Sequence, residues 1–575
     1  MSTKRSQPLV EHVKATSSGL RGRLRDELKR GRVPFTPSSA LLLKHHGVFQ
    51  QADRDRRAAA DNESNSGFTE YMVRLKAPAG KLTAEHWLAV FDLADRYGAA
   101  TVQLTSRQGV QIPGVPKDRL ARLLQGIAAI GLTSIGSGGD LNCNVMCCPP
   151  PALAPQIVGE LDSLAAAISD SLRPDSAGYR ETWRLPSRDE PADSSVAGAE
   201  TSFPYGAAFL PHKFKIAVAT ADDNCADAFA QDVGLVADID GACVKGYTVL
   251  VGGGLGHIPS GPRSFPRLAT PLAYVSPGEV LPLIHAIVRL YRDHGDRSCR
   301  SRGRLKYLVH DWGIARIREH LEADLGWYLA LPREMTPGTC LDHSEWTLGG
   351  DGRWAVGLHV VDGLVADTSE LRLKTALRTL FSSCPVTLRI SPRRRLLLGG
   401  VADVDRRAVE SILDAHGVKS LSQVTPIRRW SDACSGLPMC GRAITESHRL
   451  APGLLDCLEH VLDELGLGDE PLCVRVAACS AGCTRSYMAE IAIVGRTICT
   501  DSYEGKYAIY VGGDRCGTRL AALYHDLVPS SRIIAALTPL LRLYRQDRLP
   551  DETFGAYCAR VGVGALRYAA ARFEE

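Results

Sequence analysis

Four cysteines stand in two close pairs, Cys434-x5-Cys440 and Cys479-x3-Cys483, inside WSDACSGLPMCG and VRVAACSAGCTRSYMAEIAIVG. A cubane iron–sulfur cluster needs four thiolates converging on one point, from loops whose small residues let backbone approach the sulfides. Both pairs sit among Gly, Ala or Pro. Structural zinc also takes four thiolates, but its knuckles run C-x2-C to C-x4-C around a tight turn, unlike x5, or x3 followed by a helical SYMAE run. Disulfides are disfavoured, because the 17 cysteines are mostly scattered through apolar segments, as reduced thiols are, and the Met1-Ser-Thr-Lys-Arg start lacks a signal-peptide core.

Cations offer a second kind of chemistry. Lys213 and Lys215 flank Phe214 in LPHKFKIAV, and the two-residue period of a strand puts both ammonium groups on one face. A solvated face is the competing reading. The same choice arises for Arg297 to Lys306 (RSCRSRGRLK) and for Arg393-Arg394-Arg395: solvated surface, or a pocket for a polycarboxylate. The run Gly252-Gly253-Gly254-x-Gly256 is followed by Pro259, Pro262 and Pro266, which preclude the helix of a dinucleotide fingerprint and leave a tight turn. Without a nicotinamide or flavin site, electrons must come from another protein.

The elements that hold these residues form a duplicated chain. With 575 residues, 45% hydrophobic and 23% charged, the sequence predicts three or four soluble units, and a formal charge of +4 gives no footprint for nucleic acid. No run reaches the roughly 18 apolar residues of a membrane span, so the expected compartment is the cytoplasm. Thr101 to Val115 aligns without gaps on Thr387 to Val401, and Gly131 falls at the place of Gly417. Further on, Phe214-Lys-Ile-Ala-Val faces Val474-Arg-Val-Ala-Ala, and Val251 to Gly256 faces Val511 to Gly517. Each copy opens as strand, helix, strand, strand, helix, a ferredoxin-like half-domain, and continues into a larger α/β unit. The expected class is α+β, with units at 67–134, 135–345, 346–420 and 421–575 about a pseudo-twofold axis. Residues 1–66, rich in charge and poor in period, are expected to be a mobile arm.

The cysteine pairs, with Ala489-Glu490-Ile491 and Val511-Gly512-Gly513 after them, resemble the cluster-binding half of the sulfite and nitrite reductases that use siroheme. The resemblance implies that Cys434, Cys440, Cys479 and Cys483 hold a [4Fe-4S] cluster and that Cys483 also bridges to the siroheme iron. HHGVFQQADRDRR, residues 45–57, resembles the N-terminal segment of the hemoprotein subunit of NADPH-type sulfite reductase, which helps dock a flavoprotein. By the same resemblance Arg74 binds substrate, Lys213 and Lys215 are active-site lysines, and Arg107 with Gln108 and Gln111 lines siroheme. Lys306 and Arg485 match more weakly, to cofactor carboxylates or the cluster surround. Three positions and one run depart from the family: Cys143 stands for an anion-binding arginine, Gln103 for a siroheme arginine, Ala481 for an asparagine, and Arg393 to Arg395 for an Asn-containing run. The implied activity is six-electron reduction of sulfite to sulfide, fed by a flavoprotein NADPH reductase subunit or a ferredoxin. Reduction of nitrite to ammonia and a non-catalytic electron-transfer paralog are the alternatives.

Overall fold

A computed structural model describes residues 8–51, 70–174, 176–185, 204–259, 261, 263–335, 340–341, 343–498 and 504–572. Residues 52–57 of the HHGVFQQADRDRR string and Pro262 lie outside it. Two five-stranded antiparallel sheets and two five-stranded mixed sheets make up the frame. In chain order the strands are β1 Val48–Gln51, β2 Glu70–Leu75, β3 Lys81–Leu82, β4 Val102–Leu104, β5 Val110–Pro116, β6 Met146–Cys147, β7 Ile216–Thr220, β8 Val233–Asp240, β9 Cys243–Val251 and β10 Thr270–Val275. The second half supplies β11 Thr347–Leu348, β12 Trp354–Leu358, β13 Leu364–Val365, β14 Thr387–Ile390, β15 Leu396–Val401, β16 Asp432–Ala433, β17 Val474–Ala477, β18 Ile491–Ile498, β19 Gly505–Val511 and β20 Ala522–Pro529.

The helix after β3 shows why its segment folds as it does. In Ala84–Tyr97 the apolar residues Trp87, Val90, Phe91 and Ala94 recur at three- and four-residue steps and are all buried, while the Thr83 hydroxyl accepts from the His86 N–H at 3.1 Å and caps the first turn. The antiparallel sheets run β1-β2-β5-β4-β13 and β11-β12-β15-β14-β3. Each is closed by a two-residue strand from the opposite copy, Leu364–Val365 on β4 and Lys81–Leu82 on β14. The copies are interlocked rather than merely apposed.

The mixed sheets run β6-β7-β8-β9-β10 and β16-β17-β18-β19-β20, with the first three strands parallel and the last two antiparallel in each. Equivalent registers place Ile216 of β7 opposite Val233 and Val474 of β17 opposite Ile491. Ile216, not Phe214, is therefore the counterpart of Val474, and the sequence pairing is two residues out of step. One apolar core, from Val13 to Val418, runs through both antiparallel sheets and the first mixed sheet, and a second, from Ile427 to Leu566, lies under the last sheet.

The expected mobile arm is, over residues 8–51, part of the fold. Leu20 and Leu24 are fully buried, and β1 is the edge strand beside β2. The charges that made the segment look solvated are paired internally: Lys14 meets Glu11 at 2.6 Å and Asp140 at 3.0 Å, and Arg297 and Arg300 reach Glu11 and Asp140 at 2.6 Å each. Among the described residues no helix is long and apolar enough to cross a membrane.

Candidate functional site

The cysteine pairs leave the C-terminal ends of β16 and β17, where parallel strands place loops side by side. The Cys434 N–H donates to the Val476 carbonyl at 3.1 Å, and the Ala478 N–H donates to the Cys434 sulfur at 3.2 Å. On the other side, Gly482 adopts a φ of +67°, and a Cβ there would lie 3.1 Å from the Gly256 nitrogen. That close approach seats the Cys479–Cys483 loop on the Gly252–Gly256 loop of the other copy, sealed by the His257 N–H on the Ser480 carbonyl and the Ser480 hydroxyl on the His257 carbonyl. The glycine run is thus a turn, as expected, and also a wall of the site.

The four thiols influence one another. Burial pushes the Cys479 thiol up to about 12, and Cys483, Cys434 and Cys440 push it the same way. Such a set resists ionising until a metal centre offsets the charge. Among the described residues no three of these sulfurs lie within 4.8 Å of one another.

Beside the cysteines is a partly open cavity lined by Arg107, Lys215, Gln231, Arg304, Cys483 and Arg485 among others. Its lining is cationic out of proportion to the acids near it. Arg304 is paired with Asp232 at 2.7 Å, and Arg485 with Asp227. Arg107 spends Nη1 on Gln231 at 2.7 Å and Nη2 on the Asn144 and Ile216 carbonyls at 2.8 and 3.0 Å, but its buried Nε has no partner. Burial lowers Arg107 to about 10 and Lys215 to about 7, where the neighbouring Arg107 and Arg304 add to the effect. A polyanion is what such a lining lacks. Siroheme, a polycarboxylate macrocycle, fits that deficit, and the sulfurs beside the cavity fit a cluster.

The expected substrate residues gather around Cys143, which is 5% exposed. Arg74, Lys76, Arg107, Lys213, Lys215 and Arg304 all lie within its electrostatic reach. Lys213 and Lys215 are half-buried on either side of the buried Phe214, and neither ammonium has a hydrogen-bond partner among the described residues. Arg74 grips the Gln111 carbonyl oxygen with Nε and Nη2 at 2.9 and 2.7 Å and stacks over Phe49 at 4.5 Å. Gln111 passes the contact to Gln103 at 3.1 Å, and Gln103 to Ser435 at 3.3 Å, beside Cys434. Gln108 is fully buried and donates to the Ala79, Cys147 and Ile390 carbonyls, so it braces the frame.

Other expectations change. Lys306 is fully buried and gives its protons to the Gly254 and Gly256 carbonyls at 3.0 and 2.9 Å and to the Phe265 carbonyl. It supports the glycine wall from behind instead of facing a carboxylate. Arg485 clamps the Ser106 and Pro392 carbonyls at 2.8 and 2.7 Å. Of Arg393 to Arg395, Arg394 pairs with Asp432 and Arg395 binds the Val360, Arg428 and Ser431 carbonyls, while Arg393 gives Nη2 to the Cys340 sulfur and keeps its buried Nε and Nη1 without a partner among the described residues. Of the Arg297–Lys306 run, Arg304 alone lines the cavity. Sequence reasoning missed Lys76, which is 4% exposed, lowered by burial to about 8, and has a partnerless Nζ. Lys76 lies two residues beyond Arg74, just past the end of β2, a spacing that could have found it.

The family model described as "Nitrite/Sulfite reductase ferredoxin-like half domain" matches residues 64–130, and that described as "Nitrite and sulphite reductase 4Fe-4S domain" matches 138–329. The chain is 36% identical over 555 residues to a sulfite reductase [NADPH] hemoprotein beta-component of Acidithiobacillus ferrooxidans, covering 96% of this chain and 95% of that one. The chain belongs to the nitrite and sulfite reductase family. Within it, a sulfite reductase [ferredoxin] of Synechococcus elongatus is 35% identical over 573 residues, 97% of this chain and 90% of that one. The fold is that of the Mycobacterium tuberculosis NirA protein, with a TM-score of 0.78, 22% identity and 98% of each chain covered. Siroheme and a [4Fe-4S] cluster are the cofactors that this family membership brings.

Proposed function

We propose that the protein reduces sulfite to sulfide, with electrons from a separate redox protein. The observation that carries this reading is the cationic cluster around Cys143, set against a cation-lined cavity that shares Cys483 with the cysteine loops. Near-full-length identity to sulfite reductases of both ferredoxin and NADPH types supports it.

Siroheme held in the cavity, with a [4Fe-4S] cluster on Cys434, Cys440, Cys479 and Cys483, supplies an iron for the substrate and a path for single electrons. Cys483, the one of the four that also lines the cavity, would stand nearest both groups. Everything else falls to the chain. Arg74, Lys213 and Lys215 hold the dianion by charge and hydrogen bonding. Each oxygen lost as water takes two electrons and two protons, and Lys215, which lines the cavity with no hydrogen-bond partner on its ammonium among the described residues, is placed to deliver protons. Lys213 stands beside it to do the same. Arg107, fixed by Gln231 and two carbonyls, presents one edge to a cofactor carboxylate. Arg485 and Lys306 position the loops that carry Cys483 and the glycine wall. Electrons enter from a ferredoxin or a flavoprotein reductase subunit, because the glycine run that might have bound a nucleotide is occupied as a wall. A reduced artificial dye tests the reading: sulfide should form from sulfite, and Lys215→Ala should lower turnover at least tenfold with the siroheme spectrum intact. Unchanged turnover in that variant would refute the role.

A further inference from the structure

A second cluster of metal-ligating side chains lies in the first mixed sheet, apart from the site described. The ligand atoms of Cys148, Cys225 and His343 all lie within 4.8 Å of one another. Cys148 and Cys225 are 4% and 3% exposed. Beside them Asp223, 1% exposed, accepts the Cys225 and Leu341 N–H groups on Oδ1 at 3.0 and 3.2 Å, while its buried Oδ2 has no partner. His343 likewise keeps a buried Nε2 without a partner. Two thiols, an imidazole and an unsatisfied carboxylate oxygen in one dry pocket make a costly arrangement unless something cationic joins them.

The pseudo-twofold relation strengthens the case. Met146↔Ala217 and Cys147↔Val218 in the β6–β7 ladder correspond to Asp432↔Arg475 and Ala433↔Val476 in the β16–β17 ladder. Cys148 then falls at the place of Cys434. Along the next strand Cys225 falls at the place of Cys483, two residues before the left-handed Asp227, as Cys483 precedes the left-handed Arg485. The counterpart of Cys479 is Ala221, so the cubane set is incomplete, and His343 arrives from the connector between the copies. The tight spacing, unlike that of the four cluster cysteines, suits one ion.

We propose that Cys148, Cys225 and His343 bind a single zinc-class ion, at the place pseudo-symmetric to the cluster, with a water as the fourth ligand. The ligand set is two soft sulfurs and two harder atoms, which zinc takes tetrahedrally. Arg393, whose Nη2 donates to the nearby Cys340 sulfur at 2.9 Å, offsets the excess negative charge. The His343 carbonyl accepts from the Gly357 N–H of β12 at 2.8 Å, so the ion ties the first mixed sheet to the second antiparallel one.

Elemental analysis of the full-length protein, with its iron and siroheme, should find about one zinc per chain after exhaustive dialysis. Paired Cys148→Ser and Cys225→Ser substitutions should lose it while iron and siroheme absorption stay. Zinc K-edge absorption on the unaltered protein needs no variant and should show a mixed shell of sulfur at about 2.3 Å and nitrogen or oxygen at about 2.0–2.1 Å. Absence of zinc, a shell of four sulfurs, or a Cys148–Cys225 disulfide found by mass spectrometry would each overturn the proposal. Iron and siroheme content reports separately on the redox site, so the two readings fail independently.

Discussion

At the scale of residues, the site turns on how many cations face one anion. The sequence alone expects Cys143 to leave the pocket one charge short, and hence Cys143→Arg to lower the sulfite KM. The structure adds Lys76, buried and partnerless within reach of Cys143, as a cation already there. A charged hydrogen bond contributes about 1.5–3 kcal/mol, so Lys76→Met should raise the sulfite KM roughly tenfold or more. Cys143→Arg should help little in the wild type and restore binding in the Lys76→Met background. Kinetics on the four-variant cycle check this, and additive effects would remove Lys76 from the pocket. The same burial predicts a pH effect. In the cofactor-free chain Lys76 and Lys215 release protons near 8 and 7, whereas an unfolded lysine holds its proton to about 10.4. Between these values the unfolded state binds more protons, so these groups make stability rise with pH from about 7 to 10. Melting temperatures of the cofactor-free protein should show the rise, Lys76→Met should reduce it, and the loaded protein, whose carboxylates offset the charge, should lack it.

At the scale of elements, the cluster loop depends on one backbone conformation. Gly482, at φ +67°, packs against Leu255 and Gly256 of the opposite copy. Gly482→Ala introduces a left-handed non-glycine residue, costing about 1–2 kcal/mol, and also presses a methyl into the wall. It should lower the melting temperature by several degrees and displace Cys483, so iron retained per chain falls, as measured by elemental analysis. Unchanged iron would show that the loop tolerates the shift. The cysteines, the duplication and the strand-helix order were legible because motif spacing and self-similarity survive in sequence. The exchanged strands were not, since the two residues of Lys81–Leu82 and Leu364–Val365 are too few to display a period. Nor could spacing separate Arg107, which lines the cavity, from Lys306, which braces it, because both are buried cations near glycines and only their hydrogen-bond partners differ.

At the scale of the whole molecule, duplication supplies the cleft and divergence assigns the work. The second copy holds the four cysteines, the first holds Arg107, Lys213, Lys215 and the glycine wall, and the exchanged strands fix the copies in register. A dianion-sized pocket crowded with cations should favour sulfite over the monoanion nitrite. The most direct test is steady-state reduction by the cofactor-loaded protein with a reduced viologen, following both anions and both products. The value of kcat/KM should be at least tenfold higher for sulfite, with six electrons consumed per sulfide released. Ammonia from nitrite at the greater efficiency, or electron consumption without sulfide, would contradict sulfite reduction as the function.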